Sequence, residues 1–142
     1  MHCRTTTPEF VHTGITASPL WGLTRNPWNL DYTPGASSGG AGAVLAAGMS
    51  TVADGTEGGG SIRIPASVNR IVGYKPPFGR NPLDLDHPLE TILHYGPMTR
   101  SIVDAALMQN VMSGPHLDDI CTVREKVVLP QVADDIRGLF GL

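Results

Sequence analysis

A chain of 142 residues with 41% hydrophobic and 16% charged residues has the length and balance of one globular domain rather than a fibrous or low-complexity chain. Its formal net charge of −3 argues against a nucleic-acid or anionic-membrane partner, which a basic surface would serve. No apolar run reaches the ~18 residues of a membrane span, and "MHCRTTTPEF" at the start lacks the basic-then-apolar order of a secretory signal; a cytoplasmic protein is expected.

Along the chain, residues 1–34 are punctuated by Pro8, Gly14, Pro19, Asn26-Pro27 and Pro34 and read as loop. Cys3 and Cys121 lie far apart, without metal-ligand spacing, and are expected to be free thiols. "SGGAGAVLAAGM" (38–49) predicts a helix faced with small residues. Its glycines would weaken an exposed helix by about 1 kcal/mol each, so it belongs against neighbours that approach closely. A short strand is predicted at 51–54, a glycine-rich turn at 55–61, a short helix stopped near Asn69, and a strand at 70–74. Residues 76–97, with five prolines and two histidines, read as a surface excursion. Ser101-Ile-Val-Asp104 is a capping box opening a helix, with Val103, Ala106, Leu107 and Val111 as its apolar stripe and Gly114 as its stop. Short strands alternating with helices indicate an α/β fold, with helices flanking a mixed sheet.

Several motifs compete for the chemistry. Gly35-Ala36-Ser37-Ser38-Gly39 satisfies the G-x-S-x-G elbow of α/β-hydrolases. That elbow needs an apolar strand leading into it, and Pro34 stands where the strand should end. The histidines after the motif (His87, His94 and His116) read as loop or surface residues rather than a base. Gly55 to Gly60 has P-loop spacing, but Ser61 follows where lysine is required. Ser61 closes "GTEGGGS", and two readings of it stay open. The backbone N–H groups of 58–61 suit an oxyanion hole, as glycines let the chain approach a carbonyl closely; a tight turn with a capping serine fits equally.

The stretch from Gly35 to Pro65 resembles the signature of the amidase signature family, serine hydrolases that cleave carboxamides. The matching residues are Gly35, Ser37, Ser38, Gly39, Gly40, Gly55, Glu57, Gly59, Ser61, Ile62, Arg63 and Pro65, with "RTTTPEF", "TRNPWNLDYTPG", "GYKPP" and "HYGPMTRSIVDAALMQNVMSG" as further similar segments. The resemblance implies a partial amidase domain over 1–142, with its core at 35–66. It implies Ser61 as acyl-enzyme nucleophile and Ser37, after a cis peptide, as proton relay to a lysine. Gly58, Gly59, Gly60 and Ser61 would form the oxyanion hole, and Ser38, Glu57 and Arg63 would support the loop. Ala36 stands where the family has glycine and Glu57 where it has aspartate. The family's lysine lies upstream of "TTTPEF"; Lys75 and Lys126 match no catalytic position, so this chain is expected to be an interior slice. No metal or organic cofactor is implied. Ile64, where transfer-RNA amidotransferases carry glutamine, favours a small-molecule amide substrate. The rival readings are an inactive amidase fragment and an anion-binding module built on the glycine loop.

Overall fold

The computed structural model of the chain describes residues 3–83, 91–122 and 125–130. His87 and most of the tail lie outside these residues.

The early loop region holds a 3₁₀ turn at Glu9–Val11 and a two-rung hairpin, β1 (Ala17–Ser18) with β2 (Gly22–Leu23). Helix α1 (Gly39–Ala46) follows, then β3 (Val52–Glu57), α2 (Arg63–Asn69), β4 (Val72–Gly73), β5 (His94–Thr99) and α3 (Ile102–Met112). The main sheet has the order β3-β5-β4, and every ladder among the described residues is antiparallel. Helices α1, α2 and α3 all pack on this sheet, so the α/β expectation holds.

Helix α1 works as the small-residue run predicted. A Cβ on Gly40 would lie 2.5 Å from the backbone of Thr6, so glycine lets residues 5–7 lie against the helix, where Gly40 N–H donates to Thr6 O at 3.1 Å. The helix stops at Gly48 (φ 73°), where Gly48 N–H reaches Leu45 O and Met49 N–H reaches Val44 O, a Schellman closure.

The core is small: Ala41, Leu45, Ile62 and Met98, with Ala53 and Ile71 packed against them. Ile62 fills a slot that the sheet glycines leave open. A Cβ on Gly55 or Gly73 would come within 2.9 Å of its side chain, and one on Gly96 within 3.1 Å. Three strands thus each give up a side chain to seat the residue after Ser61.

Two expectations are corrected. Residues 94–97 are not surface excursion but four of the six residues of the central strand, in register with Asp54 to Glu57. Pro97 is tolerated there because its carbonyl accepts from Tyr74 N–H at 3.0 Å. The proline nitrogen therefore also points toward β4, where it cannot return the bond of the Tyr74 pair, and the β4 ladder ends at Gly73. In α3 the capping box forms, with Asp104 N–H donating to Ser101 Oγ at 3.1 Å. The buried face is however Ala105, Ala106 and Gln109, while Val103, Leu107 and Val111 are exposed. Gln109 is buried because Asn81 satisfies it: Gln109 Nε2 donates to Asn81 Oδ1 at 2.6 Å, and Asn81 Nδ2 donates back at 3.2 Å.

Candidate active site

Ser37 and Ser38 occupy the turn into α1 and are both buried; the Ala36–Ser37 peptide is cis. Ser61 is half-buried in the turn between β3 and α2. The structure brings the two turns together through main chain, since Ser38 N–H donates to Ser61 O at 3.1 Å. On the first turn, Thr16 Oγ1 donates to Gly35 O at 2.7 Å, and Asn69 Nδ2 donates to Pro34 O at 2.7 Å. Asn69 Nδ2 also reaches Pro65 O at 2.8 Å, so one buried amide ties the approach to Ser37 onto the helix that follows Ser61. Trp28 Nε1 donates to Asn69 O at 2.8 Å and Asn26 Nδ2 to Val68 O at 2.9 Å, which straps the "NPW" segment over the end of α2. Thr16 and Asn69 were not foreseeable from the sequence, because they act on backbone carbonyls and carry no motif of their own.

The second turn is organised by Glu57, which is fully buried. Its Oε2 accepts from Ile62 N–H at 3.0 Å and Arg63 N–H at 2.9 Å, and its Oε1 accepts from Arg63 Nε at 2.6 Å, with Arg63 Nη2 closing the ion pair. Burial is the largest single influence on this carboxyl and pushes its pKa up. The Arg63 guanidinium and the two main-chain donors together outweigh it, so the group lies below the ordinary carboxylate value. Arg63 is correspondingly raised, its side chain extending largely into solvent.

With Ile62 and Arg63 N–H taken by Glu57, and Ile64 N–H donating to Gly60 O at 2.7 Å, the donors left on this turn are those of Gly58, Gly59, Gly60 and Ser61. Among the described residues none of these four N–H groups meets an acceptor. Gly59 is exposed, and a Cβ there would have nothing within 4 Å. A larger cavity of about 580 Å³ between residues 3–7, α1 and β3 reaches Ser38, but Ser61 is not among its walls.

His94, expected at the surface, is buried in β5 opposite Glu57. Its Nδ1 lies 3.0 Å from Ile92 O, Phe78 meets its ring edge-on at 5.9 Å, and Nε2 is buried with no partner among the described residues. Burial chiefly pushes its pKa below the ordinary histidine value; the Ile92 carbonyl opposes this and the Lys75 charge adds to it. Lys126 packs beside Gly114 after α3. Cys3 and Cys121 are free and exposed. Among the described residues no group of three His, Cys, Asp or Glu gathers in a metal-holding arrangement, and no helix is long and apolar enough to cross a membrane.

An α/β domain with two serine-bearing turns joined through the main chain is the class that fold and site define. The family model described as Amidase matches residues 1–136, and the chain belongs to that family, the amidase signature enzymes. It is 48% identical over 143 residues to a glutamyl-tRNA(Gln) amidotransferase component from Desulforapulum autotrophicum, covering 98% of this chain and 29% of that relative. It is 46% identical over 120 residues to the 6-aminohexanoate-cyclic-dimer hydrolase of Paenarthrobacter ureafaciens, covering 82% of this chain and 24% of that enzyme. The crystal structure of a bacterial aryl acylamidase of the amidase signature family superposes with a TM-score of 0.80 at 43% identity, covering 86% of this chain and 26% of that one. The chain therefore spans between about a quarter and three tenths of these relatives' lengths, and the relatives include both amidases and amidotransferases.

Proposed function

We propose that this chain carries the acyl-transfer part of an amidase site and that the substrate is a small carboxamide. In this reading Ser61 Oγ attacks the carboxamide carbon. Its proton passes to Ser37 Oγ and onward to a lysine contributed from outside residues 1–142. The developing oxyanion is received by the N–H groups of Gly58, Gly59, Gly60 and Ser61. Collapse breaks the C–N bond, the amine leaves with the proton, and water then hydrolyses the Ser61 ester to a carboxylate. Ser38, Glu57 and Arg63 hold the turns in place rather than touch the substrate.

The observation that carries this reading is the set of four N–H groups around Ser61 without internal acceptors among the described residues, beside a turn that Glu57 holds from behind. Donors fixed in advance stabilise charge without reorganising during the reaction. Ile64 and the net charge of −3 favour a small amide over a charged transfer RNA. The test is ammonia release from hexanamide and benzamide by the polypeptide extended upstream to supply the lysine, with Ser61→Ala and Ser37→Ala as controls. Release lost in Ser61→Ala supports the reading, whereas equal release in that variant refutes it. The rival reading, an inactive fragment, draws on the short span of the relatives covered. It holds for the 142 residues by themselves if they release no ammonia while the extended polypeptide does. Phosphate binding that survives Ser61→Ala would instead favour an anion nest.

A further inference from the structure

We infer that Asn69, the last residue of α2, is a positioning residue for acyl transfer: its side-chain amide fixes the spacing of the Ser37 and Ser61 turns. The inference rests on the reading of Ser61 as nucleophile and Ser37 as proton relay. Asparagine is a weak helix former that favours helix ends, with its side chain bonded locally or in water. Asn69 closes α2 just before Arg70, which is left-handed, but its side chain is turned inward and fully buried. Burying an amide is unfavourable unless its groups are bonded. Nδ2 is bonded twice, to Pro34 O at 2.7 Å and Pro65 O at 2.8 Å, while Oδ1 has no partner among the described residues. Turning the amide over would set Oδ1 against both carbonyls, so the two acceptors alone fix its orientation. The residue is used for what it donates.

The bond to Pro34 O closes a ring. At one end Ser38 N–H donates to Ser61 O at 3.1 Å; at the other, Asn69 Nδ2 donates to Pro34 O. One side of the ring is residues 34–38, which carry Ser37, and the other is residues 61–69, which carry Ser61 and α2. Between them Gly35 lies against α2, where a Cβ would come within 3.1 Å of Pro65 N. Helix α1 leaves room for the amide, since a Cβ on Gly42 would lie 2.7 Å from Nδ2. Trp28 Nε1 donates to Asn69 O, and the Arg70 guanidinium stacks over Trp28, so the main chain of the residue is held as well. A single hydrogen bond would leave the two turns free to pivot about it. A second tie, at Pro34 O, removes the pivot.

Reacting groups misplaced by an ångström can lose about 100-fold in rate, so losing the tie should act on turnover rather than on binding. Two variants separate this role from support of the helix. Asn69→Leu keeps the branched shape and removes both donors. Asn69→Ser keeps a hydroxyl able to bond back to Pro65 O, four residues earlier, but too short to bond Pro34 O. Only the tie between the turns is lost in both.

The experiment measures ammonia release from hexanamide by the polypeptide extended upstream to supply the lysine. Hydrogen–deuterium exchange of the same polypeptide is read at Ser38 N–H, with Tyr74 N–H in the sheet as reference. Both variants should lower kcat about 30-fold, with KM within about three-fold of the unsubstituted protein. Ser38 N–H should exchange about ten-fold faster in both, and Tyr74 N–H at its former rate. Asn110→Leu, which removes a similar amide bond to Leu129 O beyond α3, should leave kcat unchanged. An unchanged kcat in Asn69→Leu, a loss there that Asn69→Ser does not share, an effect confined to KM, or equal acceleration at Ser38 and Tyr74 overturns the inference. Should Asn69→Leu fail to fold, Asn69→Ser decides by itself. Failure of the amidase reading is distinguishable, because the unsubstituted protein then shows no Ser61-dependent release. In that case selective exchange at Ser38 retains the tie between the turns, and its absence overturns it. Ser61-dependent release with kcat unmoved in both variants retains the amidase reading and removes Asn69 from it.

Discussion

Replacing Glu57 by alanine removes the acceptor for the N–H groups of Ile62 and Arg63 and for the Arg63 guanidinium. The Ile62 donor is buried and the Arg63 donor part-buried, so neither is fully satisfied by water once the carboxylate is gone. An unsatisfied buried donor costs about 1–3 kcal/mol, which places the loss for the two at about 2–6 kcal/mol, before any cavity contribution. Glu57→Gln keeps the volume and one acceptor oxygen, and should lose about 1–2 kcal/mol. Arg63→Ala leaves both main-chain bonds intact but takes the cation from a fully buried carboxylate, so it is itself costly and should still cost less than Glu57→Ala, which loses the cation and both main-chain acceptors. Urea unfolding at pH 7 reads the order as midpoint shifts at constant m-value. Amide exchange at Ile62 and Arg63 should accelerate in Glu57→Ala and not in Arg63→Ala. If Arg63→Ala proves as damaging as Glu57→Ala, the turn is held by its ion pair and the main-chain account is wrong.

Three further outcomes are expected. Gly55→Ala should lose about 1–3 kcal/mol in the same assay, because its Cβ would lie 2.8 Å from Ser38 Oγ and 2.9 Å from both Ile62 Cγ1 and Met98 Sδ. At Arg70 (φ 56°), which also stacks over Trp28 at 5.8 Å, Arg70→Gly should be about 1 kcal/mol more stable than Arg70→Ala, since glycine adopts this conformation without steric cost. Acidification should weaken the fold in two windows, read as melting temperature against pH. His94 is depressed from its ordinary value of 6.5, so the unfolded chain takes up its proton first and stability falls from there downward; Glu57 adds a second loss from 4.5 down through its lower folded value. His94→Gln should flatten the upper window and leave the lower one.

How far the fold could be read ahead depended on whether its cause was local. Helix α1 was readable because close approach demands small residues, although it ends at Ala46 and turns at Gly48, inside the expected 38–49. The start of α3 was readable because Ser101 and Asp104 bond each other within a turn. Its buried face was not, because Gln109 is drawn inward by Asn81, 28 residues earlier, which no hydropathy pattern records. Strand β5 was obscured by Gly96-Pro97, which signal a break. Both residues serve the sheet instead: Gly96 makes room for Ile62, and Pro97 sits where β4 has run out.

The site divides along the same line. Ser37, Ser38, Glu57, Arg63, Ser61 and the glycines of 58–60 stand in one short stretch whose spacing is itself the signal. What holds the two serine turns together is spread wider and runs mainly through carbonyls: Thr16 to Gly35 O, Asn69 to Pro34 O and Pro65 O, and Ser38 N–H to Ser61 O. A bond to a carbonyl leaves no mark on the accepting residue's identity, so its donor cannot be paired from the sequence. Ile62 is the link between these two kinds of information. It lies inside the recognisable stretch, yet its place depends on Gly55, Gly73 and Gly96 from three strands. Seating Ile62 in that slot while Glu57 binds its N–H fixes both sides of one residue, and the neighbouring Ser61 has little freedom left. The sheet glycines therefore belong to the positioning of the candidate nucleophile as much as Glu57 does, although of the three only Gly55 stands in the stretch that Ser61 closes.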